Sequence, residues 1–223
     1  MKRRTRARAL FLGGFALWFA AIWIFWNTPV VYPIQVFVVF LHEIGHGIAA
    51  IATGGRIDRI TLNPRLGGAC YCPGGNAFIT LSAGYLGSLF FGVLIVEGGR
   101  RAGRNAHRVT AGIGVAVVLL TLLFVRSAFG LLFGIAFGAF LLVLAQRLSA
   151  EWNRGLLTVL GLTSCLYAIL DIKSDVIDRP YLPSDAYMLA ELTGVPTVVW
   201  GVLWITIALV VSGWLVRRLW RDL

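Results

Sequence analysis

Seven apolar runs constrain this chain more than any other feature. They lie at 10–27, 31–52, 77–97, 109–125, 128–146, 155–172 and 197–216. Each reaches roughly the 17–25 residues that a helix needs to cross a bilayer. Inside hydrocarbon every backbone N–H and C=O must find its partner within the protein, which leaves helices as the economical solution. Composition agrees: 58% of the residues are hydrophobic and 13% charged, far from the near-quarter charged content of soluble domains. The expected fold is an all-α polytopic membrane protein. It is a bundle of seven transmembrane helices, or six if the first run lies along the surface, in a single domain over 1–223. Trp18, Trp23, Phe25 and Trp26 crowd the first run. No small-residue cleavage site follows them, so the run reads as a retained span and not a signal peptide.

The net charge is +10. In a soluble protein this would suggest nucleic acid, but here the basic residues flank the apolar runs. They sit in the 1–9 tail (Lys2, Arg3, Arg4, Arg6, Arg8), in one loop (Arg100, Arg101, Arg104, Arg108) and at the C-terminus (Arg217, Arg218, Arg221). Such positions anchor spans and meet anionic lipid. The lipid bilayer is therefore the expected partner, and nucleic acid is not. With seven alternating spans Lys and Arg divide almost evenly between the two sides, so charge does not orient the chain. Alternation does make the second and sixth spans run in the same direction. Of the three cysteines, Cys70 and Cys72 look too close in sequence for an easy mutual disulfide, and Cys165 lies inside a span. The count gives no disulfide framework.

Residues 56–76 differ from the rest. Ile57, Ile60 and Leu62 sit among polar residues, and Asn63-Pro64, Gly67-Gly68 and Pro73-Gly74-Gly75 are turn signals. One or two short strands are expected, in a hairpin-like segment beside the membrane. Gly84, Ser88 and Gly92, and again Gly130, Gly134 and Gly138, recur every four residues. Such stripes let helix backbones approach closely, and tight packing is the reading given to both.

The second run contains His42-Glu43-Ile44-Gly45-His46. Helical spacing puts His42 and His46 one turn apart on one face, where two imidazoles can share a zinc ion. Glu43 is placed to take a proton from a water activated by that ion, the chemistry of the H-E-x-x-H zinc peptidases. Ionisable residues within a span are costly and by default functional. A catalytic zinc usually takes a third protein ligand, and no third histidine lies in a span. Asp171, at the far end of the sixth run, is the candidate, with Asp175 one turn further on as the alternative. Asp178, Asp185 and Glu191 read as loop acids, and Ser184-Asp185 could cap a helix through Ala186–Leu192.

The stretch Phe40-Leu41-His42-Glu43-Ile44-Gly45-His46-Gly47, the following Ala52-Thr53-Gly54-Gly55 and Ala83–Gly92 (A-G-Y-L-G-S-L-F-F-G) resemble the site-2 protease family of intramembrane zinc metalloproteases, in its small M50B-like branch. A second match is L-Y-A-I-L-D-I-K-S-D, ending at Asp175, followed by Ser184-Asp185-Ala186. The resemblance implies one zinc per chain, held by His42, His46 and an aspartate, with Glu43 as general base. The wider family has its aspartate in L-D-G; this chain reads Leu170-Asp171-Ile172. The expected activity is intramembrane zinc metalloendopeptidase, cleaving membrane-embedded protein substrates from a multi-pass position in the plasma membrane. Two other classes compete. A non-catalytic membrane scaffold built on the same fold would have less need of all three motif residues. A transporter would spread charged groups over several spans.

Overall fold

The computed structural model of the chain describes residues 2–179 and 183–221; the side chains of Lys2, Arg3, Arg4, Arg6 and Ala7 in the basic tail fall outside the described ones. Seven long helices carry the fold: α1 (Lys2–Phe25), α2 (Tyr32–Ala52), α3 (Ala77–Ala102), α4 (Ala106–Phe124), α5 (Ala128–Arg147), α6 (Ala150–Ile172) and α8 (Thr197–Arg221). Between α2 and α3 lies an antiparallel hairpin of β1 (Arg59–Leu62) and β2 (Gly68–Tyr71), and a short helix α7 (Asp185–Thr193) precedes α8. Among the described residues six stretches are long and apolar enough to cross a membrane, with α3 and α4 forming one of them. The chain nevertheless reverses between α3 and α4: a Cβ on Gly98 would meet Val109 Cγ1 at 3.4 Å. A 3₁₀ turn at Gly103–Asn105, opened by Gly103 at φ 52°, makes the corner. The tight 125–127 connector separates α4 from α5 where the sequence placed the break.

Burial sorts the helices by role. In α2, 78% of the apolar stretch is buried, against 6% in α1. The helix that carries H-E-x-x-H is thus the centre of the bundle. Outward positions such as Leu132, Leu123 and Val210 are apolar and exposed, the surface that lipid covers.

Small residues set the close crossings. Gly45 of α2 lies against Ala83 and Gly87 of α3, and Gly92 of α3 against Gly161 of α6. Ser164 Oγ donates to the Ser88 carbonyl at 2.8 Å across the same α3–α6 seam. In α5, Gly134 faces Thr121 and Gly138 faces Gly114 of α4. α2 and α6 both run antiparallel to α3, so they share a direction, as expected. α1 departs from strict alternation. Arg8 lies 5.3 Å over the Trp220 ring and Phe11 packs on the same ring, so α1 begins beside the end of α8. Trp18 Nε1 then donates to Thr163 Oγ1 of α6 at 3.2 Å. Aromatic contacts along α6 and α8 fix this placement, which no charge count could reveal.

Some helices run past their apolar runs. α3 continues to Ala102 because Glu97, buried near its end, is met by Arg100, Arg101 and Arg218. α6 passes into a π-helical turn, Lys173–Asp178.

Candidate metal centre

The hairpin is wedged along α2. Ile57 and Cys70 lie against Gly47, and Tyr32 Oη donates to the Pro64 carbonyl at 2.8 Å. The outer side of β1 is taken by the α4–α5 connector. Arg126 N donates to the Ile60 carbonyl at 2.9 Å, and Leu62 N to Ser127 Oγ at 2.9 Å. That leaves β2 as the strand turned toward α2. Its Gly68 sits directly on the Glu43 carboxylate, with no room for a Cβ, and the Cys70 backbone hydrogen-bonds the same carboxylate.

His42 and His46 share a face of α2, with ring centroids 4.8 Å apart. The carboxylate that meets them belongs to Asp185, the first residue of α7. Its Oδ2 lies 3.0 Å from His42 Nε2 and 3.2 Å from His46 Nε2. These three groups form the cluster whose ligand atoms all fall within 4.8 Å of one another. Ser184 caps α7, its Oγ accepting from Tyr187 N at 3.2 Å, so the helix start aims Asp185 inward. Burial pushes the Asp185 carboxyl pKa up, but the neighbouring imidazoles of His46 and His42 outweigh it and hold the group below the ordinary carboxylate range.

The donor set fits a cation. His46 Nδ1 lies 2.7 Å from the Thr80 carbonyl. The carbonyl can only accept, so Nδ1 carries the proton and Nε2 of the neutral ring offers a lone pair. Asp185 Oδ2 is buried, and the two Nε2 atoms face it. With a neutral ring the His46 Nε2 lone pair and the Asp185 carboxylate face one point, an arrangement that costs energy unless a metal ion or a proton meets it. Gly84 makes the space, since a Cβ there would strike both His42 Nε2 and Asp185 Oδ2. Two nitrogens and one carboxylate oxygen are a donor set that a divalent metal ion takes.

The other expected ligands lie nearby. Asp171 and Asp175 line the same cavity, of about 810 Å³, as the metal cluster and Glu43, but stand outside the trio. Asp175 is engaged elsewhere: Tyr85 Oη donates to its Oδ2 at 2.9 Å and Arg179 Nη2 to its Oδ1 at 2.7 Å. The Tyr85 ring in turn packs edge-on against His42, at 4.9 Å between centroids. Sequence reasoning gave Gly84 only a packing role and left Asp185 among the loop acids. The usable signals were Ser184-Asp185 as a helix start and Gly84 heading its stripe.

The Peptidase M50B-like family profile matches residues 15–215. The chain belongs to the Peptidase M50B-like family. No curated protein and no solved structure matches it. Membership extends over α2, the hairpin, α6 and α7, and so over every residue of the cluster. It makes the chain a membrane peptidase by family, with a possible metal site at His42, His46 and Asp185.

Proposed function

We propose that this M50B-like peptidase is an intramembrane zinc metalloendopeptidase acting on membrane-embedded protein substrates, with the plasma membrane as its location. His42, His46 and Asp185 hold one zinc per chain, and Glu43 is the general base. The observation that carries the reading is the meeting of His42 Nε2, His46 Nε2 and Asp185 Oδ2 beside Glu43 in one cavity.

A zinc ion bound there supplies Lewis acidity and makes hydroxide accessible near neutral pH. The protein's own groups do the rest. The Thr80 carbonyl fixes the His46 tautomer. Cys70 and Gly68 hold the Glu43 carboxylate in place, so that it takes a proton from the attacking water and passes it to the leaving amine nitrogen. A transmembrane helix hides its peptide bonds in its own ladder, so a substrate must be unwound and held extended. β2 lies along the cavity and suits such strand addition.

The test is zinc content and cleavage of a membrane substrate in proteoliposomes. Wild type should carry stoichiometric zinc and cleave. Glu43→Gln should keep zinc and lose cleavage by about 10²–10⁴-fold, the usual worth of a general base. Asp185→Asn should lose both. Equal cleavage by wild type and Glu43→Gln would refute the proposal.

A further inference from the structure

The thiols of Cys70 and Cys72 have no part in the peptidase reading, where only the Cys70 backbone serves, yet both residues line the metal cavity and are half-buried. The two sulfurs are paired, contrary to the expectation from their spacing, and the Cα atoms are 5.5 Å apart. In an extended strand residues two apart are separated by roughly 6.4–6.8 Å. The pair therefore draws the strand in and curls it. The sheet reflects this. β2 stops at Tyr71, between the two cysteines. Arg59 pairs with Tyr71 in the ladder, but the Tyr71 carbonyl accepts from Asp58 N at 2.9 Å and the Pro73 carbonyl from Arg56 N at 3.1 Å, a step off that register. Cys165 is remote from this, buried in α6 with its Sγ toward the Leu89 carbonyl.

We infer that Cys70 and Cys72 form a reversible dithiol–disulfide pair that sets the length of the β2 edge beside the metal centre. Its effect on proteolysis rests on the peptidase reading; its chemistry does not. The co-reactant is an external disulfide, a small molecule or a protein dithiol carrier in its oxidised form. One cysteine thiolate attacks a sulfur of that disulfide. A mixed disulfide forms as the external S–S bond breaks, and one thiol leaves. The second cysteine thiolate then attacks the mixed disulfide, closing Cys70–Cys72 and releasing the other thiol. Two electrons pass to the external disulfide, and the two cysteine protons end on the released thiols. Closed, the ring shortens the strand. Opened, it lets β2 extend through Cys72 toward Pro73, giving a substrate a longer edge to pair with.

The experiment uses the full chain in detergent micelles, equilibrated with graded mixtures of reduced and oxidised glutathione and trapped with a maleimide. Intact mass should show two labels gained or lost together, mapping to Cys70 and Cys72. Amide exchange over 68–75 should differ between the end states by at least about threefold, since local opening sets that rate. Zinc content should be the same in both. Cleavage should be at least about threefold faster in the reduced form, as expected when strand pairing limits binding. The double variant Cys70→Ser/Cys72→Ser should show no redox response in exchange. Labelling that ignores the glutathione ratio, or exchange equal in the two states, would overturn the inference, as would equal cleavage rates. If neither form cleaves any substrate, the peptidase reading fails, while labelling and exchange still decide the thiol pair.

Discussion

Gly84 carries more of the site than its lack of a side chain suggests. It sits one turn before Ser88 and two before Gly92, and those two pack α3 on α6. Gly84 instead leaves the volume in which His42 and Asp185 meet. Gly84→Ala should therefore fold yet bind zinc at least about 100-fold more weakly, the upper range for loss of a supporting interaction. Equilibrium dialysis against a zinc buffer reads this directly, and unchanged affinity would show that the site has slack. His42, Glu43 and His46 were legible in the sequence because a single helical turn relates them. The partner carboxylate was not. Local spacing cannot tell which of several acids beyond α6 returns to α2, because the packing of Ala186 and Leu189 of α7 on residues distant in sequence decides it. Asp171→Asn and Asp175→Asn should keep zinc, so dialysis of those two beside Asp185→Asn discriminates among the acids.

At the scale of elements, β2 and α7 each bring one component to a framework made by α2. Their attachments differ, and so do the expected failures. Gly68→Ala pushes a methyl group into the Glu43 carboxylate. Zinc should stay bound while cleavage falls by about 100-fold, the scale of a displacement near 1 Å at a reacting group. Ser184→Ala removes the α7 cap, which is worth about 1 kcal/mol. It should loosen zinc about fivefold by freeing the helix start that presents Asp185, with cleavage at saturating zinc nearly intact. Parallel zinc titration and kinetics separate the two behaviours. The spans and the hairpin were readable from hydropathy and turn residues, because those signals are local. Docking of α1 against α8 and the π-helical turn after α6 depend on side chains distant in sequence, and no window of sequence contains them.

At the scale of the whole molecule, the metal cluster joins α2 to a helix that begins some 140 residues after His46. α7 is nine residues long, too short to hold its helical shape alone in water. Its docking rests on Ala186 and Leu189, buried with Tyr85, Ile172 and Trp204. Without a cation the docked state sets the Asp185 carboxylate against two imidazoles, which attract it only by taking up protons. A bound zinc takes the place of those protons and adds ligand bonds, acting only on the docked state. Linkage then predicts about 2.7 kcal/mol of added stability at a free zinc concentration 100 times Kd. By the scaling for chains of this size that is a rise of several degrees in Tm, about 5–11 °C. Chelator-treated wild type should lose the rise and recover it on zinc addition. Asp185→Asn should show no zinc-dependent rise at the same concentration, although it buries the same apolar residues. If both proteins respond alike, zinc is acting elsewhere on the chain and α7 is held by packing alone.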